Sequence, residues 1–344
     1  MPPVAPTEIK KPLVPDVQLL GLRFSLCGKF LAAPACDSSV RRWDISGPEP
    51  VELPKIAGFN GWVGSIAFHP DKTRLFAVDS WGRLACWDIT AKEAKKVWDI
   101  PTAHDGWARK VAVNPDGSSI ASVGKDGFAR IWNTKDGAKR SEIPAKEDLL
   151  SVAWHPDGKH LVTGDLRGVI TAWDVASGKP VRTFDAKEMY HYDRIQDVGG
   201  VRCFAFSADG KTLIAGGAKP ATGGFVQAFP LLLAFDWVTA KRTGSWQGAT
   251  NNEGYALDCR MHAEGHVMAV TSGQPGNGKL LFWKPGDAKP FFEVVKPNCH
   301  GLDVHPDGKR LAVVTTLGSN QNGKPKGKEY TGSHSPIVFW TLPG

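Results

Sequence analysis

The hydrophobic residues of this chain fall in short runs, not in long amphipathic stripes. Segments such as Ser151-Val-Ala-Trp154 and Leu161-Val-Thr163 are separated by phrases rich in Pro, Asp and Gly. Short apolar runs bounded by turn residues predict strands. One turn phrase recurs along the whole chain: HPDKT at 69, NPDGS at 114, HPDGK at 155, SADGK at 207 and HPDGK at 305, with weaker copies SLCGK at 25 and HAEGH at 262. The spacing between copies runs from 41 to 55 residues. The phrase suits a tight turn, because Pro presets φ, Asp bonds its own backbone and Gly tolerates positive φ. Each copy therefore joins two short strands.

A second landmark follows each turn. Trp43, Trp87, Trp132 and Trp173 lie 18 residues after the start of their phrase. Phe235, Trp283 and Trp340 follow theirs at 28, 21 and 35 residues, as though pushed out by insertions. Asp-Ile, Asp-Val or Asp-Trp comes after several of them. A fourth strand-like run, such as Lys95-Lys-Val-Trp-Asp-Ile100, completes the unit. Seven such units in phase resemble the WD-repeat family, and the resemblance covers nearly the whole chain. It implies an all-β, seven-bladed β-propeller of four-stranded antiparallel blades, forming one domain over residues 1–344. Blades are expected to start near 17, 60, 105, 147, 199, 253 and 297, with strands a to d running outward from the axis. Only Thr341 to Gly344 follow Trp340, too few for a last outer strand. The segment 7–14 is therefore expected to pair with the third strand of the last blade and close the ring, with Pro12 tolerated at an outer edge.

The third unit carries the spacing of the family's structural tetrad. His104, Ser122, Asp126 and Trp132 would relay hydrogen bonds from the indole through Ser and His to the turn carboxylate. Elsewhere the His position holds Phe59 or Ala145, and the Asp position holds Trp81 or Arg167. Those blades are expected to rely on apolar packing.

Composition narrows the class. The chain has 344 residues, is 42% hydrophobic and 22% charged, and carries a net charge of +7. These values exclude a disordered polyelectrolyte. The longest apolar run, Phe229 to Phe235, is far short of a membrane span of about 20 residues, so no membrane partner is expected. The N-terminus lacks the apolar core of a secretory signal. None of the six cysteines forms C-x-x-C, which points to free thiols in a reducing cytoplasm.

Catalytic chemistry finds little support. No G-x-S-x-G elbow and no phosphate-cradling glycine pattern occurs. His262 and His266 have metal-ligand spacing for a helix but fall on a turn phrase, so no metal or cofactor is expected. The reading is a non-catalytic scaffold, a monomer that binds protein partners. The alternatives are a nucleic-acid-associated propeller using the basic loop 323–330, or a propeller enzyme with an axial site. Three insertions, around 185–200, 216–229 and 317–336, all fall in d–a or b–c loops and so share one face, where binding is expected. Candidate contacts there are Trp62, Trp81 and Trp107, the aromatic-basic stretch with Tyr190, Tyr192 and Arg194, and the loop residues Lys324, Lys326, Lys328 and Tyr330.

Overall fold

The computed structural model describes residues 5–193, 195–221, 227–273, 277–316, 324–326, 329–331 and 334–343. Seven four-stranded antiparallel sheets succeed one another along the chain. Blade one comprises Arg23–Phe24, Phe30–Pro34, Val40–Asp44 and Val51–Ile56, and blade two Val63–Phe68, Arg74–Asp79, Leu84–Asp88 and Lys95–Ile100. Blade three comprises Ala108–Val113, Ser119–Gly124, Phe128–Asn133 and Lys139–Pro144, and blade four Leu149–Trp154, His160–Asp165, Val169–Asp174 and Lys179–Asp185. Blade five comprises Val201–Phe206, Thr212–Pro220, Ala228–Asp236 and Arg242–Gln247, and blade six Tyr255–Met261, Val267–Ser272, Gly278–Trp283 and Phe292–Val295. The last blade takes Gly301–Val304, Arg310–Val314 and Ile337–Thr341 from one end of the chain and Thr7–Leu13 from the other. No helix among the described residues is long and apolar enough to cross a membrane.

The recurring aromatic fixes the register of every blade. It lies opposite an aliphatic residue of strand b each time: Trp43 faces Leu31, Trp87 Leu75, Trp132 Ile120 and Trp173 Leu161. Phe235 likewise faces Leu213, Trp283 Val267 and Trp340 Leu311, so the insertions leave this pair untouched. All seven aromatics are buried. The apolar core is divided accordingly. It forms seven clusters, each filling the gap between two neighbouring blades. A blade alone would expose both faces, so no blade is stable without its neighbours.

Closure follows from the same requirement. Thr7 pairs with Thr341, Glu8 with Trp340, Ile9 with Phe339 and Leu13 with Ile337. The register slips between Ile9 and Leu13, which accommodates Pro12 on an edge where it owes no ladder bond. Lys296 Nζ reaches Glu8 at 2.6 Å, and Leu19 N donates to Ser335 Oγ at 2.9 Å.

The turn phrase does more than reverse the chain. Its first residue reaches the carbonyl of the turn glycine in the next blade: His69 Nε2 to Gly117 O at 2.7 Å, Asn114 Nδ2 to Gly158 O at 2.9 Å, His155 Nε2 to Gly210 O at 3.0 Å and His305 Nε2 to Gly28 O at 2.8 Å. Each of these glycines has φ near +70°, and a Cβ at Gly117 would lie 2.9 Å from the His69 ring. The glycine thus serves both the turn and the contact between blades.

In blade three the tetrad is connected. Trp132 Nε1 donates to Ser122 Oγ at 2.9 Å, Ser122 Oγ lies 2.7 Å from His104 Nε2, and His104 Nδ1 lies 3.0 Å from Asp126 Oδ1. Burial opposes ionisation of Asp126, but hydrogen bonds from His104 and Arg130 outweigh it and hold the carboxyl well below its usual range. Burial keeps His104 neutral by lowering its pKa.

Candidate functional site

In each blade the d–a and b–c connections emerge on one face, because successive strands alternate in direction. On this face the structure gathers three tryptophans from separate stretches of chain. Trp62 and Trp107 immediately precede strand a of blades two and three. Their rings meet edge-on, with centroids 6.2 Å apart and planes at 73°. Trp81, in the b–c turn of blade two, lies over Gly61, where a Cβ would stand 2.5 Å from its ring. Trp62 is 51% exposed and Trp81 68%, while Trp107 is half-buried against Gly64. Arg109 lies 4.3 Å from the centroid of the Trp107 ring and grips Asp148 through Nε and Nη2 at 3.2 and 2.6 Å. Exposed indoles braced by a fixed arginine are the composition of protein-interaction hot spots.

What holds Trp81 outward is a carboxylate that the repeat pattern does not mark. Asp79, fully buried, accepts Asn60 N at 3.1 Å, Trp81 N at 2.9 Å and Arg83 N at 3.0 Å. In blade three Asp126 accepts Asp105 N, and the equivalent of Asp79 is Gly124, where a Cβ would collide with the His104 ring at 2.5 Å. Blade two has Phe59 in place of that histidine. The carboxylate therefore moves two residues back into the vacant space, and the position it leaves becomes free for an exposed indole. Blade four repeats the exchange: Ala145 replaces the histidine, and Asp165 accepts Val169 N at 2.8 Å. There Trp173 Nε1 donates to Thr163 Oγ1 at 2.9 Å. These blades do not rest on apolar packing alone. The legible signal in blades two and four was an Asp two places before the expected one; the other blades without the histidine do not carry it.

The connection between blades four and five is built, not loose. A 3-10 turn, Lys187–Met189, leads into a hairpin of Tyr190–Asp193 and Gln196–Gly199. Met189 is fully buried in the gap between the two blades. Gly199 has φ +117°, and a Cβ there would lie 1.9 Å from Met189 O, so glycine is required at this close approach. Tyr190 donates its hydroxyl to Asp197 at 2.7 Å and packs under Arg167, 5.6 Å from the ring centroid. Tyr192 is exposed. Arg194 lies outside the described residues.

The insertion of blade five does not form the loop expected at 216–229. Strands b and c absorb it by lengthening to Pro220 and Ala228, which pair with each other beyond the end of strand a. Apolar residues run without a break from Ala228 to Phe235, and the ladder pairs over that whole length. In blade seven, Lys324–Lys326 and Glu329–Thr331 pair as a short hairpin. The side chains of Lys324, Lys326 and Tyr330 lie outside the described part of the molecule, as does Lys328 altogether.

The histidines with metal-ligand spacing lie on the opposite face. His262 and His266 stack at 4.4 Å across the blade-six turn, and their ligand atoms and that of Glu264 lie within 4.8 Å of one another. His155, Asp157 and His160 form a similar group, in which His155 Nε2 is already engaged with Gly210.

Comparison with known proteins agrees with this architecture. The model described as WD domain, G-beta repeat matches residues 96–133 and 140–174. Each match begins at an outer strand and ends with the next blade's strand c, so the sequence repeat is offset by one strand from the structural blade. The chain is similar to "Transducin beta-like protein 3" of Rattus norvegicus, 28% identical over 47% of this chain and 21% of that protein. It is also similar to "Periodic tryptophan protein 2 homolog" of Schizosaccharomyces pombe, 25% identical over 70% of this chain and 31% of that protein. "Small ribosomal subunit protein RACK1y" of Oryza sativa is 29% identical over 46% of each chain. The matches span between about a fifth and a half of the length of these relatives.

Proposed function

From its likeness to the WD-repeat family, whose model matches two of its repeats, we propose that the chain is a non-catalytic scaffold that binds a protein partner on the face carrying the d–a and b–c loops. The observation that carries this reading is the contiguous Trp62, Trp81 and Trp107 surface, two members of which spend much of their area in water. Leaving large indoles exposed on a rigid frame costs hydrophobic free energy that a partner would recover. The projecting hairpins of blades four to five, five and seven rise on the same side and offer further contacts, with Tyr192 exposed. The relatives' names include a ribosomal subunit protein and a "Target of rapamycin complex subunit", which supports membership of an assembly as the shared mode. Six free cysteines, four of them buried, suit the reducing cytoplasm proposed for it.

The test is affinity capture from the source cell's lysate, with and without nuclease. The bait is compared with a Trp62→Ala/Trp81→Ala/Trp107→Ala variant whose unfolding midpoint has been checked. A nuclease-resistant partner retained by the native chain and lost by the variant is the expected result. Equal retention by both overturns the site. Loss of all partners on nuclease treatment replaces the protein reading with the nucleic-acid one.

A further inference from the structure

The axial channel is lined by residues other than Trp62, Trp81 and Trp107. It encloses a cavity of roughly 380 Å³ walled by strand a of all seven blades. Four places before the turn phrase, most blades carry a small or acidic residue that bonds to the next blade's strand a. Ser65 Oγ accepts Val111 N at 3.3 Å, Ser151 Oγ donates to Val201 O at 2.8 Å, Cys203 Sγ reaches Ala256 O at 3.8 Å and Asp258 accepts Leu302 N at 3.4 Å. Blade three departs from this pattern with Lys110. Its ammonium extends into the channel, within Coulomb range of Asp258, Arg23 and Arg260. Among the described residues it has no hydrogen-bond or ion-pair partner.

The carboxylates that could neutralise it are already committed. Asp258 takes Arg23 Nη1 at 2.8 Å and Arg260 Nη1 at 3.0 Å, and Asp303 takes Arg260 Nε at 2.7 Å. Arg202 is the second unmatched cation. It donates Nη2 to Gly199 O at 2.7 Å and engages Tyr255, whose ring lies 5.0 Å away; Asp148, the carboxylate within Coulomb range, is already gripped by Arg109, and among the described residues the buried Nε of Arg202 has no acceptor. The lining thus sets Arg23, Lys110, Arg202 and Arg260 against only Asp258 and Asp303. An excess of two positive charges in a partly desolvated cavity is costly unless an anion enters.

We propose that the axial channel is a binding site for a compact phosphate-type oxyanion, held chiefly by Lys110 and Arg202. Two unmatched cations on different blades suit a divalent tetrahedral anion, whereas a monocarboxylate would satisfy one of them. Arginine's fork supplies directed donors and lysine a point charge. The neutral Arg23–Asp258–Arg260–Asp303 chain forms the opposite wall.

Isothermal titration of the full chain with inorganic phosphate and with pyrophosphate, at fixed ionic strength, tests this. Saturable binding is expected, weakened about tenfold or more by Lys110→Ser. That substitution installs the side chain blades two and four already carry, so the fold has a template for it. Lys110→Met, which keeps most of the stem, must give the same loss, and exposed Lys211→Ser must give none. No saturable heat with either phosphate, an unchanged Kd in both Lys110 variants, or acetate binding as tightly as phosphate overturns the proposal. The assay uses no protein partner, so its outcome is independent of the interaction face.

Discussion

Asp79 accepts three backbone N–H groups from a position that the repeat leaves to glycine when a histidine is present. Removing an acceptor from buried donors costs the desolvation of each, so Asp79→Ala should destabilise the protein by about 1–3 kcal/mol. Trp81→Ala, which strips an exposed ring from the same turn, should change stability by no more than about 0.5 kcal/mol. Urea denaturation of the two variants measures both, and a reversed order would mean that the indole, not the carboxylate, organises the turn. His300 makes a second prediction at this scale. Among the described residues its buried Nε2 has no partner, and burial pushes its pKa from 6.5 down to about 4. The folded value lies below the unfolded one, so the unfolded chain binds more protons. The contribution is complete above pH 6.5 and is lost as pH falls toward 4. The melting temperature should drop across that window, and His300→Gln should flatten part of the drop. An identical pH profile in the variant would assign the acid sensitivity elsewhere, with His266, also lowered to about 4, the next group to replace.

Among the elements, Thr7–Leu13 has the largest consequence for its size. It covers the outer edge of Ile337–Thr341, and its loss would leave an unpaired strand on the rim. Deleting the segment should lower the unfolding temperature and raise light scattering on heating. Supplying the same strand after Leu342 through a short linker should restore both, because the ladder needs the strand and not its place in the chain. If the relocated strand fails, the contacts of residues 15–19 with His334 and Ser335 carry the closure instead. The turn-phrase bonds work at the same scale. His155→Ala removes the reach to Gly210 O and should weaken the joint between blades four and five, read as faster amide exchange there than in blades two and three.

For the whole molecule, the ring separates two environments. The loop face presents apolar rings to water, while the axis holds charge away from it. Substitutions in one should leave the other intact: Trp62→Ala/Trp81→Ala should not alter phosphate binding, and Lys110→Ser should not alter capture of a protein partner. Coupling between the two readouts would mean that the partner reaches into the channel.

The sequence by itself determined the seven units, their aromatic landmarks and the closing strand, because turn chemistry and alternating burial are local and recur in register. The spacing of His104, Ser122, Asp126 and Trp132 also marked four side chains that are hydrogen-bonded in that order. Tertiary structure alone decided what depends on distance between blades. Asp79 and Asp165 take over the work of a missing partner where no ring equivalent to His104 stands; the sequence shows their two-place shift, but only the fold shows which backbone N–H groups they serve. Among the described residues the blade-five insertion lengthens a ladder, with Lys219 opposite Phe229. Lys110 and Asp258, 148 positions apart in the chain, face one channel only after the ring has closed. Charge balance along the axis is a sum over seven separate strands, so it exists only in the closed fold.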